Sequence, residues 1–186
     1  MKKLALSLAL LAAAAAQAAP VLNAANGHYY EYFAEAVSAE DAFTLAATHS
    51  YLGMTGYLTT ITSADENSFV ATTAGGQLAW IGGSDHGDAV NHWTWRTGPE
   101  TGQDFSFTSW APGEPNNCCG GEDYVHINYG GFGLWNDHGG PANAWQRNGY
   151  VVEYSAAASA VPEPASLALI GLGLGLAGLA RRQRKA

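Results

Sequence analysis

Hydrophobic positions in the first half of the chain recur at helical spacing in two places. Residues 38–49 and 63–70 each place their apolar side chains on one face of a helix. Each segment opens on a serine that is followed three residues later by an acid, at Ser38 and Ser63, which is the arrangement of a helix capping box. The pattern therefore predicts two short helices.

Short apolar or alternating segments predict strands in the rest of the chain. These segments are 27–33, 57–61, 78–82, 92–95, 124–128, 133–135 and 149–154. Long polar loops separate the later strands, and loops longer than about 12 to 15 residues are uncommon unless they are functional. Two helices followed by many short strands indicate an α+β fold with small antiparallel sheets, rather than alternating βαβ units.

The two ends of the chain have a different pattern. Residues 1–19 combine two early lysines, an apolar stretch and an Ala-Gln-Ala site, which is typical of a secretory signal peptide. Residues 165–180 form an apolar run that spans roughly 24 Å as a helix, short of the roughly 30 Å of a bilayer core. This predicts a marginal transmembrane segment whose basic tail stays in the cytoplasm. One domain is left over residues 20–155, followed by an Ala/Ser linker over 156–161.

Without its ends the chain is a strongly acidic domain. It keeps 15 of the 16 Asp and Glu residues but only Arg96 and Arg147 of the eight basic residues, so its net charge is −13. Such a fold repels itself unless a cation neutralises it, and a bound divalent metal is the obvious candidate. Phosphate contacts need clustered Lys and Arg, so we expect no nucleic-acid partner.

One stretch, Trp110–Asp137, concentrates oxygen-bearing side chains and contains no Lys or Arg. Six of them lie within 24 residues: Glu114, Asn116, Glu122, Asp123, Asn136 and Asp137. Ca²⁺ takes about six to eight oxygen ligands from carboxylates, amides, carbonyls and water. The stretch therefore predicts a calcium site, and we hypothesise that the same site binds sugar.

Signatures of an enzyme are absent from the sequence. The six His residues have no HxxxH or HExxH spacing, which argues against a zinc site, and no GxSxG motif occurs. Glu114 and Glu122 could form a glycosidase pair, but calcium would keep both ionised and remove the protonated acid that glycoside hydrolysis needs. We therefore expect a binding protein.

Cys118 and Cys119 are adjacent and lie inside the oxygen-rich stretch. An exported chain can form disulfides, but neighbouring residues bridge only through a small strained ring. A vicinal disulfide, a crosslink to another chain and a free thiol pair all stay open.

The order of features over the exported core resembles the C-type lectin domain. The motifs that carry the likeness are WIGG from Trp80, WAPGEPNN from Trp110, GEDYV from Gly121 and WND from Trp135. The resemblance implies a main calcium site made of Glu114, Asn116, Glu122, Asn136 and Asp137. It also implies a cis Glu114–Pro115 bond, which is the kind of bond where a cis form costs little.

The same resemblance implies which residues bind the sugar and which sugar is preferred. The carbohydrate-binding residues would be Glu114, Asn116, Glu122 and Asn136, since carboxylates accept and amides donate hydrogen bonds to hydroxyls. In this family Glu-Pro-Asn goes with mannose-, glucose- or fucose-type sugars. The sequence therefore implies that preference.

A second calcium site follows more weakly from the resemblance. Asp85 and Asp123, with Glu122, match family positions, whereas Asp88 is out of register by one residue. The family's core cysteines are missing, because Tyr124 and Val152 stand in their usual places. We expect aromatic packing and calcium to compensate for the lost bridges, each of which is typically worth about 2 to 5 kcal/mol.

Residues 162–186 resemble the PEP-CTERM sorting signal of Gram-negative bacteria. The likeness rests on Val161-Pro162-Glu163-Pro164, the Gly/Leu-rich segment and Arg181-Arg182. It implies transient anchoring in the inner membrane, cleavage by an exosortase, and a mature protein at the cell surface or in the extracellular matrix. A glycan or exopolysaccharide is then the expected partner. The alternative is a calcium-stabilised structural or protein-binding module that binds no sugar.

Overall fold

The computed structural model describes residues 19–156. The predicted signal peptide, the predicted transmembrane segment and the predicted sorting signal lie outside these residues, as does nearly all of the predicted linker. Within residues 19–156, no helix is long and apolar enough to cross a membrane.

The two helices begin at the serines that the sequence indicates. Helix α1 covers Ala39–Ala46 and α2 covers Ala64–Thr73. Ser38 Oγ accepts a hydrogen bond from the Asp41 N–H, and Ser63 Oγ accepts one from the Glu66 N–H, both at 3.2 Å. Because each serine satisfies a backbone donor that the first helical turn leaves free, it sets where the helix starts. Helix α1 ends three residues earlier than predicted.

Ten strands accompany the helices. They are β1 (Val21–Asn23), β2 (His28–Val37), β3 (Ser50–Tyr51), β4 (Met54–Thr55), β5 (Tyr57–Leu58), β6 (Ala79–Ser84), β7 (Thr94–Trp95), β8 (Tyr124–Ile127), β9 (Trp135–His138) and β10 (Asn148–Tyr154). Eight of them form one sheet in the order β1-β2-β10-β6-β8-β9, with β5 on β10 and β7 on β6. Strands β3 and β4 form a separate hairpin. The α+β fold is confirmed, with a larger main sheet than the short segments suggested.

Strand β10 is the centre of the main sheet and is buried along its whole length. It pairs antiparallel with β2, near the start of the domain, and parallel with β6. Val151 faces a core that also contains α2, whereas Tyr150 and Val152 face a second core that contains α1. Successive strand residues point to opposite faces, so one strand supports both cores.

Buried hydrophobic side chains fill the positions where the family usually has cysteines. Tyr124 is buried and its ring stacks with His86 at a centroid distance of 5.9 Å. Val152 is fully buried in the core next to α1. Packed side chains therefore occupy both places, and their compensation for the missing disulfides stays a prediction.

Two buried carboxylates join the sheet to α2 through hydrogen bonds. Glu153 accepts from His28 Nδ1 at 2.6 Å, and from a tyrosine, a threonine hydroxyl and a backbone amide. Glu66 accepts from Tyr30 Oη at 2.7 Å and from three further donors. The potential ligand atoms of His28, Glu66 and Glu153 lie within 4.8 Å of one another. All four carboxylate oxygens already have protein donors, so this cluster is complete as a structural connection.

His28 is expected to make stability depend on pH. Burial raises the pKa of Glu153, and the hydrogen bond with Glu153 raises the pKa of His28, so the folded pair retains a proton that the unfolded chain releases. The stabilisation is complete below the unfolded His pKa of about 6.5 and is lost as pH rises through the higher folded value. Urea denaturation should show that His28→Asn costs about 1 kcal/mol at pH 6 and less at pH 8.5.

His49 provides the matched control for this measurement. Burial lowers its pKa, so the contribution of this histidine should be lost as pH falls, which is the opposite trend. A cost of His28→Asn that is constant between pH 6 and 8.5 would contradict the assignment.

Candidate functional site

The oxygen-rich stretch is anchored on strand β9. The Trp135 N–H donates to the Ser109 carbonyl at 2.7 Å, and the Ala111 N–H donates to the Trp135 carbonyl at 2.8 Å. The loop that follows Ala111 therefore starts beside the strand that carries Asn136 and Asp137. The Glu114–Pro115 bond within it is cis, as the resemblance implies.

Asp137 is fully buried and holds the loop through hydrogen bonds to its backbone. Its two carboxylate oxygens accept hydrogen bonds from the backbone N–H groups of Asn116 and Asn117, at 3.0 and 2.6 Å. Glu114 lies next to it: burial, and then the negative charges of Asp137 and Glu122, raise the Glu114 pKa. The three carboxylates are therefore close enough for their charges to interact.

Glu122 is held in place from three sides. Its Oε2 accepts from the Cys118 N–H at 3.1 Å, and its Oε1 contacts His138 Nδ1 at 3.2 Å and Gln146 Nε2 at 3.5 Å. Its own N–H donates to Asn117 Oδ1 at 2.9 Å. Hydrogen bonds from the protein do not remove the repulsion among neighbouring carboxylates, so a divalent cation is favoured here.

Asn136 is oriented by a buried histidine. Its Nδ2 lies 3.0 Å from His126 Nε2, and burial lowers the His126 pKa to about 3, so the ring is neutral and Nε2 can accept. The amide oxygen of Asn136, Oδ1, has no hydrogen-bond partner.

Buried oxygens without a hydrogen-bond partner mark the predicted ligands. Within residues 19–156, four buried side-chain polar atoms have no partner, and three of them are Asp85 Oδ1, Glu114 Oε2 and Asn136 Oδ1. Native proteins leave few such atoms, because an unpaired buried oxygen is costly. Carboxylate and amide oxygens are the ligands that Ca²⁺ prefers, so the residues present fit this ion.

The acids of the predicted second site fall into two environments. Asp85 is buried, and burial together with the charges of Asp123 and Asp137 raises its pKa. Asp123 Oδ2 contacts His86 Nδ1 at 2.9 Å. Asp88, in contrast, forms an ion pair with Arg96 at 2.6 Å. Asp85 and Asp123 therefore belong to the acidic region around Asp137, while the charge of Asp88 is already compensated.

The two cysteines form a vicinal disulfide, one of the three states that the sequence leaves open. The bridge lies at the tip of the loop, where Asn117 and Cys119 have positive φ angles of 48° and 62°. The Asn143 side chain ties this tip to the segment before β10 by donating to the Gly121 carbonyl at 2.6 Å.

Three residues of the site carry no sequence signal that would have identified them: His126, Asn143 and Gln146. Each is buried, and each contacts the predicted ligands or the loop that bears them. His126 lies on β8, Asn143 ends a short 3₁₀ helix over Pro141–Asn143, and Gln146 lies between that helix and β10. Only their spatial position shows their role.

Two family descriptions match the chain. The Lectin C-type domain matches residues 47–143, and the PEP-CTERM protein-sorting motif matches residues 160–185. The sorting motif indicates export and a surface or extracellular location.

Curated relatives share part of the chain. Halomucin of Haloquadratum walsbyi is 37% identical over 142 residues, which are 72% of this chain and 2% of that protein. C-type lectin domain family 4 member K of Homo sapiens is 36% identical over 81 residues, which are 44% of this chain and 24% of that protein. The chain thus spans only a small part of these relatives.

Solved structures show the same fold over most of their length. The C-type lectin CEL-I from Cucumaria echinata is 25% identical and has a TM-score of 0.57. The match covers 69% of this chain and 90% of that chain. The carbohydrate-recognition domain of cow CD23, crystallised in the presence of a GlcNAc2Man3 oligosaccharide, is 27% identical, with a TM-score of 0.55 and coverage of 70% and 89%. These are binding proteins rather than enzymes. On this fold, this site and these matches, the chain belongs to the C-type lectin domain family and carries a C-terminal PEP-CTERM sorting motif.

Proposed function

We propose that this chain binds carbohydrate in a calcium-dependent manner. The calcium ligands would be Glu114, Asn116, Glu122, Asn136 and Asp137. One observation carries the proposal: Glu114 Oε2 and Asn136 Oδ1 are buried without a partner next to the buried carboxylate of Asp137. A bound divalent cation would satisfy both unpaired oxygens and would compensate the charge of Asp137 and its neighbours.

The protein side chains around the ion supply the contacts to the sugar. Calcium, when bound, offers coordination positions to two neighbouring sugar hydroxyls. Glu114 and Glu122 can accept hydrogen bonds from those hydroxyls, and such charge-assisted bonds are the stronger kind. Asn116 is exposed and its amide can donate. The Asn136 amide gives one N–H to His126 and keeps the other for the sugar.

The Glu-Pro-Asn sequence supports a preference for mannose-, glucose- or fucose-type sugars, by its resemblance to family members with that motif. We further propose a second calcium position at Asp85, Glu122 and Asp123. Asp88 lies beside it, with its charge directed to Arg96.

The segments at the two ends of the chain support a proposed route of export and processing. Residues 1–19 direct export, residues 162–186 hold the chain transiently in the inner membrane until an exosortase removes them, and the lectin domain over 20–155 reaches the surface or matrix. There it binds a glycan or exopolysaccharide. The competing function, a calcium-stabilised module that binds protein or only strengthens the matrix, predicts the same metal site without sugar binding.

Glycan binding with and without calcium tests the proposal. The full chain should bind mannose-type glycans on an array in millimolar calcium and lose the signal in EDTA, because the hydroxyls need the ion. Calcium-loaded protein that binds no glycan would favour the competing function and contradict ours.

Calcium is also expected to stabilise the fold. A ligand at about 100 times its dissociation constant adds about 2.7 kcal/mol, which raises the unfolding midpoint by roughly 5 °C or more for a domain of this size. Scanning calorimetry should show that rise for the wild type and for Glu35→Gln, an exposed carboxylate of β2. Asp137→Asn should lose most of it. An equal calcium shift in all three proteins would argue against the assigned ligands.

The sugar preference should follow the acid–amide order on either side of Pro115. The double substitution Glu114→Gln with Asn116→Asp exchanges which flanking side chain accepts and which donates, while it keeps the total charge. Competition with methyl mannoside and methyl galactoside should show a shift toward galactose with calcium binding retained. An unchanged preference would mean that the sugar binds elsewhere.

A further inference from the structure

A cleft lies beside the calcium-site loop and has no role in the function proposed above. Its volume is about 340 Å³, and its walls include Asn91, His92, Trp93, Asp104, Trp110 and Pro115. Small-molecule sites start at roughly 300 Å³ and combine apolar walls with a few polar groups, so one or two sugar rings match this size and composition.

Aromatic rings form one wall of the cleft. The ring centroids of Trp93 and Trp110 are 5.1 Å apart, and Phe105 lies 6.4 Å from each of them. Trp110 and Phe105 are only partly buried, so ring surface faces the cleft. Aromatic faces carry a negative quadrupole and attract the weakly positive C–H groups on the face of a pyranose ring.

Two polar side chains, His92 and Asp104, also line the cleft. His92 Nε2 lies 3.0 Å from Asp104 Oδ1, and both side chains are exposed. Trp93 also lines the cleft, but its buried Nε1 is not exposed to solvent, so His92 and Asp104 are the polar groups that a ligand hydroxyl can contact.

The position of the cleft connects it to the metal-ligand region. Pro115 stands between Glu114 and Asn116, so the cleft wall is continuous with the loop that carries both side chains. On another side, the Asn91 N–H donates to Asp85 Oδ2 at 2.8 Å. A glycan held at the calcium site therefore has its next residues within reach of the aromatic wall.

We propose that this cleft binds a second residue of the same glycan chain, and that the natural ligand is a neutral oligosaccharide or polysaccharide of at least two residues. This inference rests on the proposed calcium-dependent sugar binding. It favours a neutral glycan because the surrounding domain is strongly acidic and Asp104 stands at the entrance, so uronic acids would be repelled. Two contacts on one chain reinforce each other, since the second binds at a high effective concentration.

Paired affinity measurements on the full chain test the cleft. Isothermal titration with methyl α-mannoside and with a linear α-mannotriose should show that the wild type binds the trisaccharide about tenfold more tightly, as a second favourable contact implies. His92→Ala with Asp104→Ala should remove that advantage and leave the monosaccharide affinity unchanged. Glu35→Gln, which removes an exposed carboxylate on β2, should behave like the wild type.

A second measurement on the unmutated chain reports on the cleft directly. In a spectrum of ¹⁵N-Trp-labelled protein, the Trp93 indole N–H signal, assigned through Trp93→Phe, should shift with mannotriose in calcium and stay in place with methyl mannoside. Two results would overturn the proposed cleft site while leaving calcium-dependent binding of the monosaccharide intact. One is a higher affinity for the trisaccharide that persists in the double variant, and the other is a Trp93 signal that does not shift with mannotriose. Loss of calcium-dependent binding for both sugars in the wild type would overturn the proposed function as well.

Discussion

Negative charge concentrated on several neighbouring carboxylates is the constraint on which the candidate functional site of this molecule depends. Asp137 is fully enclosed, Glu122 is nearly so, and both lie close enough to Glu114 to raise its pKa. Backbone N–H groups hold Asp137, whereas Glu122 accepts from a backbone N–H and contacts His138. Burying one carboxylate is costly, and burying several together without a cation is more so. The loop conformation, the acidic composition and the absence of Lys and Arg from the loop all agree with a site built for a divalent ion.

The opposite end of the domain resolves its buried charge differently. Glu153 and Glu66 are buried as well, but each oxygen accepts from protein donors, and His28 can supply a positive charge. This complete cluster joins β2, β5, β10 and α2, while buried Tyr124 and Val152 stand where the family resemblance implies cysteines. Satisfied polar contacts and packing therefore stabilise this part of the domain. At the candidate site, in contrast, Glu114 Oε2 and Asn136 Oδ1 have no protein partner.

Local chemistry explains which predictions from the sequence succeeded. Ser38 and Ser63 start the helices because capping depends on residues three positions apart. The strands of alternating or apolar residues were found within a few positions, apart from β1, β3 and β4, which are too short to give a pattern. The parallel pairing of β6 with β10 was not predictable, since it joins segments about seventy residues apart. The sequence also did not reveal the outcome for Asp88, because its ion pair with Arg96, eight residues away, depends on how the intervening loop folds.

The sequence by itself determined the family and the kind and spacing of the candidate ligand atoms, because residue type and order are sufficient to specify donors, acceptors and charge. It could not decide which of those atoms would be left unpaired. Only the tertiary structure left Glu114 Oε2 and Asn136 Oδ1 without partners, joined Cys118 to Cys119, and placed Trp93 and Trp110 together beside a cleft. Hydrogen bonding and exposure depend on which distant segments meet, and that is settled only when the strands assemble.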